Sequence, residues 1–273
     1  MAADDQDEQH RAKLREVHTE GGADTVVAFI QGTPDPALRR KLYSLSRQVL
    51  PDRSAAGRSF DEVIRIARSG IAECLRQAEL ARAREDAAEA QECIDTANKL
   101  SYNLAADLAA CWPGDETPRE RHHFQSGLRA AYDCVVWRQE LNKPPDRRAM
   151  AHWVAGMHQL SLGNEIEALC AFEAAFGLAL ESVTAGGEDG APETYVKANG
   201  DFGVTLYFGY AGIARQRLGD EAGARQLEQA CAAFEETLRS PKDEEAAEDA
   251  RFGLDQLRYV ERKYSALSGT ASS

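Results

Sequence analysis

The chain has 273 residues, with 45 acidic against 32 basic side chains and a formal net charge of −13. That length supports a packed core without metal or disulfide staples. The acidic balance repels a nucleic-acid backbone, because only short clusters such as Arg39-Arg40-Lys41 and Arg147-Arg148 oppose it. No run approaches the roughly 20 apolar residues of a membrane span. The N-terminus is charged, unlike a secretory signal, and the six cysteines, at 74, 93, 111, 134, 170 and 231, show no CxxC pairing. The expectation is a cytoplasmic protein with buried free thiols, no nucleic-acid or membrane partner and no cofactor.

In chain order, residues 1–20 show no apolar stripe and read as a frayed, acidic N-terminus. A helical region covers 21–145. Asp35-Pro36 opens a helix that stops before Pro51, since proline fits the first helical turn and not the interior. Ser59 with Glu62, and Thr117 with Glu120, have the spacing of capping boxes. Between Ser59 and Trp112 there is one glycine and no proline. The stripe Ile64, Ala67, Ile71, Cys74, Ala78, Ala81 and the stripe Ala87, Ala90, Ile94, Ala97, Leu104, Leu108 differ in phase, which predicts a hairpin at Arg84-Glu85-Asp86. Asp146 and Ser240-Pro241 mark further helix starts. Residues 182–199, rich in glycine and acids, read as a flexible solvated insertion. A capping helix carries Ala247, Ala250, Leu254, Leu257, Val260 and Tyr264, and the tail 266–273 reads as disordered.

Two segments of 146–265 share one grammar. Gly156, Leu162-Gly163-Asn164, Ala168 and Phe172 recur as Gly212, Leu218-Gly219-Asp220, Ala224 and Glu228. With Ala149 and Thr205 as first positions, small residues stand at eight and twenty and glycine at fifteen. This resembles the tetratricopeptide repeat, a helix-turn-helix unit of about 34 residues. The second segment departs from it, with Glu228 where a bulky residue belongs. A third, degenerate register starts at Ile71 and places Ala78, Ala90, Ile94 and Ala97 suitably, without the turn glycine. The fold expectation is all-α, antiparallel helical hairpins stacked as a tetratricopeptide-like α-solenoid, the alternative being an irregular helical bundle.

The resemblance implies that the inner helices present Met150, Trp153, Met157 and Leu160, then Leu206, Gly209, Ile213 and Gln216, to a concave groove. Its apolar character implies a non-catalytic adaptor or scaffold that binds a partner peptide or helix, with Met150, Trp153, Met157, Leu160, Tyr210 and Ile213 as contacts. The chain's own helices filling that groove is the competing expectation. The alternative function is a small-ligand sensor or enzyme accessory subunit with a pocket closed by the insertion. A helical enzyme using His122, His123, His152 and Glu165 ranks third. His122 and His123 point about 100° apart on a helix and hold no metal without help from elsewhere. An apolar end to the stack also makes self-association an expectation.

Overall fold

The computed structural model describes residues 2–50, 58–184 and 191–265. Its regular structure there is ten α-helices and two short 3-10 turns, Arg47–Val49 and Pro192–Tyr195. Among the described residues, no helix is long and apolar enough to cross a membrane. The chain divides into two compact units, Met1–Leu108 with Glu116–Asn142, and Ala109–Asp115 with Lys143–Ser273.

The first unit holds α1 (Ala2–Gln31), α2 (Pro36–Ser46), α3 (Phe60–Ala83), α4 (Ala87–Leu108) and α5 (Arg121–Glu140). Residues 2–20 are helical rather than frayed. Leu14 and Val17, three apart, are buried, and beyond a break at Gly21-Gly22 so are Ala23, Val26, Val27 and Ile30. Two apolar residues among charges make a thin stripe, too short to stand out in the sequence. Glu62 ties the break down, its carboxylate 3.2 Å from His18 Nε2 and accepting from the Ala23 amide at 3.3 Å.

Asp35 caps α2 by accepting from Ala37 N, and Ser59 caps α3 by accepting from Glu62 N. The capping box expected at Thr117 forms three residues later. Glu120 is the N-cap of α5, and His123 Nδ1 accepts from the Glu120 amide at 2.9 Å.

The second unit holds α6 (Pro145–Leu162), α7 (Glu165–Thr184), α8 (Phe202–Arg217), α9 (Ala222–Arg239) and α10 (Glu244–Ser265). Helices pair as the hairpins α3–α4, α6–α7 and α8–α9, and their three turns share one geometry. Each places a left-handed residue at the fifteenth register position, Glu85 (φ 61°), Gly163 (φ 80°) or Gly219 (φ 79°). Each closes with an amide reaching back five residues: Asp86 N to Ala81 O (2.9 Å), Asn164 N to Gln159 O (3.0 Å) and Asp220 N to Arg215 O (3.0 Å). In the degenerate register, Glu85 therefore does the work of the missing glycine.

At the register's small and bulky positions, Ala90, Ile94 and Ala97 are buried in α4 and Ala168, Phe172 and Ala175 in α7. In α9 the register slips by one residue. Ala224 and Glu228 are exposed, while Gly223, Leu227 and Ala230 face inward. The bulky residue missing at 228 is Leu227.

The insertion is docked over its second half. Val196 is buried, and Asn199 (φ 54°) donates its amide to Thr237 Oγ1 at 2.8 Å and its Nδ2 to Ser240 O at 2.9 Å. Its Oδ1 accepts from the Lys242 amide at 2.9 Å. Residues 185–190 of the expected flexible insertion, and the tail 266–273, lie outside the described residues.

Candidate functional site

The expected groove is core. Trp153, Met157, Leu160, Leu206, Tyr210 and Ile213 are at most 5% exposed, Gly209 is buried, and only Met150 and Gln216 stay partly accessible. Residues of the second unit fill it. The Trp153 ring meets Trp112 edge-on at 6.1 Å, Tyr207 at 6.5 Å and Tyr210 at 6.0 Å, and Tyr210 stacks on Phe172 at 5.2 Å. From α10, Leu257 sits where a side chain on Gly209 would be. Tyr264 bonds Ser161 across 2.5 Å at the far end of the same helix.

Within this unit, α10 and the short segment Ala109–Asp115 contribute to the filling. A signal for this was present, because α6 from Ala151 to Leu160 and α8 from Val204 to Ala214 are apolar on nearly every face, the pattern of helices covered on all sides.

The weak catalytic candidates are divided between the two units. Glu165 pairs with Arg217 at 3.0 Å, and His152 is partly buried, which lowers its basicity, with Arg148 adding to the effect. His122 and His123 lie in the first turn of α5, and both reach Asp61.

One of several depressions in the second unit is a polar one of about 250 Å³ at the N-termini of α8 and α10. Asp201 caps α8, accepting from Val204 N at 2.8 Å, and Asp243 caps α10, accepting from Ala246 N at 2.7 Å. The Asn199 bonds hold the 197–202 segment against the end of α9 and the α9–α10 connection. Phe202, Thr205, Phe234 and Thr237 line it, with Phe202 and Phe234 at 6.0 Å. Lys197 and Lys242 line it too, as do the carboxylates of Asp201, Asp243, Glu245 and Asp249.

Positive and negative groups thus stand around a partly aromatic hollow about the size of one small molecule. Such an arrangement holds a ligand of mixed charge by ion pairing at two ends and apolar contact between them. Sequence reasoning missed it because its residues come from a loop and two helix starts, which share no periodicity. Two N-cap aspartates beside lysines were the available signal. No protein-family model matches the chain, and no curated protein matches it.

Proposed function

We propose that the chain is a non-catalytic binding module of the cytoplasm, built from stacked helical hairpins that resemble tetratricopeptide repeats. The shared turn geometry at Glu85, Gly163 and Gly219 supports the repeat reading. Because the apolar groove is filled, the reading favoured is the sensor or accessory subunit. The observation that carries it is the mixed-charge depression beside the end of the insertion, lined by Lys197, Lys242, Asp243 and Asp249 around Phe202 and Phe234. Its ligand is a small zwitterion, of the size and charge of an amino acid.

The test is thermal shift and calorimetry with a panel of free amino acids, on the wild type, Lys242→Glu and Asp249→Lys. Both changed residues are exposed, so both variants keep their circular dichroism. A ligand that stabilises the wild type and neither variant supports the site. A panel without effect on the wild type, or an effect retained in both variants, removes it.

A second reading keeps the adaptor role with a protein partner on α5. Tyr132 and Val136, one turn apart, are 48% and 61% exposed, while Ala131 and Cys134 on the opposite face are buried. An apolar pair this exposed on one helix face marks a candidate contact surface. Val136→Asp then abolishes co-purification of a partner with melting temperature unchanged, and an identical set of co-purifying proteins in both forms refutes the reading.

A further inference from the structure

Three metal-ligating side chains meet in the first unit. Asp61, in the first turn of α3, lies with its Oδ1 2.8 Å from His122 Nε2 and 3.2 Å from His123 Nε2. The ligand atoms of all three lie within 4.8 Å of one another. The two rings are 4.0 Å apart, although adjacent residues on a helix diverge. His123 achieves this by folding back on its own N-cap, where its Nδ1 accepts from the Glu120 amide.

In a tetrahedral site with bonds of about 2.0–2.1 Å, ligand atoms stand roughly 3.3 Å apart, so Asp61 is already near that spacing from both rings, and ligand atoms that lie within 4.8 Å of one another close by at most about 1.5 Å to form a coordination sphere. Protons now bridge the positions that a cation would bridge.

The surroundings suit His122 as a ligand. Its Nδ1 is 3.4 Å from Glu120 Oε2, so a proton held there leaves Nε2 open toward Asp61, and the carboxylate behind the ring fixes its orientation. His123 is conditional. The Glu120 amide keeps the proton off Nδ1, and His123 joins a metal only by moving its Nε2 proton to Nδ1 and releasing that amide. Helix N-termini disfavour a cation, and Asp61, Glu62 and Glu120 offset this locally. Asp61 and His122 are open to solvent while His123 is 8% exposed, which leaves an entry path and vacant coordination positions.

We propose that Asp61, His122 and His123 form a divalent transition-metal site that clasps the first turns of α3 and α5. Two imidazoles and one carboxylate select zinc, cobalt, nickel or copper over magnesium and calcium, which prefer oxygen alone.

The test is titration of the full chain with Co²⁺, read by its visible d–d absorption, followed by displacement with Zn²⁺ and a parallel titration with Mg²⁺. One Co²⁺ per chain, displaced by Zn²⁺ and insensitive to Mg²⁺, is expected. His122→Ala and Asp61→Ala abolish the band, Glu120→Gln weakens binding about tenfold, and the His123 imidazole nitrogen shifts on binding show the proton moving to Nδ1. Circular dichroism confirms that each variant is folded. Absence of a band at 100-fold excess of Co²⁺ overturns the proposal. So does a band that survives Asp61→Ala and His122→Ala, or one that is lost instead in His18→Ala, which would place the metal on the neighbouring His18–Glu62 pair.

Discussion

Gly212 and Gly223 touch backbone to backbone across the α8–α9 hairpin. A Cβ on Gly212 would lie 2.9 Å from the Gly223 carbonyl oxygen, and one on Gly223 would lie 2.6 Å from the Gly212 carbonyl oxygen. Neither obstruction is a flexible side chain, so neither can step aside. Gly212→Ala and Gly223→Ala each cost about 1–3 kcal/mol. Their effects are strongly non-additive, because the first methyl already separates the helices. Urea unfolding of both single variants and the double variant measures this, and a neutral Gly212→Ala would show that the helices do not meet there.

Glu85 offers the opposite case. It is exposed and holds a left-handed conformation that costs a residue with a side chain about 1–2 kcal/mol, against the extra chain entropy that glycine loses on folding. Glu85→Gly is expected to stabilise the first unit by about 0.5–1 kcal/mol, seen as a higher denaturation midpoint at unchanged slope. A destabilised variant would mean that the α3–α4 turn differs from the turns at Gly163 and Gly219.

Trp153 separates core from contact surface. As a 5% exposed ring among Trp112, Tyr207 and Tyr210, it loses about 3–5 kcal/mol on truncation to alanine. Trp153→Asp then lowers helicity as well as any binding. A folded Trp153→Asp protein of wild-type melting temperature would return this residue to the surface.

Acid is expected to unfold the first unit through Glu73. Burial opposes its ionisation, but donors from Arg76, Gln77 and Arg39 outweigh burial and hold the carboxyl at about 2, below an ordinary 4.5. The folded state therefore binds this proton less readily than the unfolded chain. Glu73 contributes its full stabilisation above pH 4.5 and loses it as pH falls toward 2, about 2–3 kcal/mol in all for a side chain 11% exposed. Glu73→Gln flattens the stability-against-pH curve in that window, and parallel curves for the two proteins would remove the assignment.

Thiol labelling of the native protein is expected to show one fast cysteine. Cys170 is exposed, whereas desolvation pushes the buried Cys74 up to about 12 and the buried Cys134 and half-buried Cys231 up to about 11; Cys93 and Cys111 are buried. Cys170→Ser removes the fast phase. A second fast phase in that variant would reveal an opening of one of the buried sites.

Helix type and hairpin turns were legible in the sequence because both rest on local chemistry. Apolar spacing fixed the buried side of α4 and α10, and the phase jump at Arg84-Glu85-Asp86 located a turn that lacks glycine. Interactions between distant segments were not legible. Nothing near Trp153 shows that Trp112, Tyr207 and Tyr210 surround it, and nothing near His122 shows that Asp61, 61 residues earlier, completes its cluster. The slip in α9 escaped for a related reason. A repeat register assumes that each second helix is rotated alike, and the contact between Gly212 and Gly223 admits a different rotation.

The bond between Ser161 and Tyr264 joins residues 103 positions apart, while the α6–α7 and α8–α9 turns close over a handful. Chain closure of that kind governs the order of events in folding. The two hairpins need little search to form, and α10 reaches α6 only after both have formed between them. The C-terminal helix is therefore last to arrive and first to detach, so local opening of the second unit begins by baring Leu257 and the Gly209 face of α8 to water long before the hairpins themselves come apart.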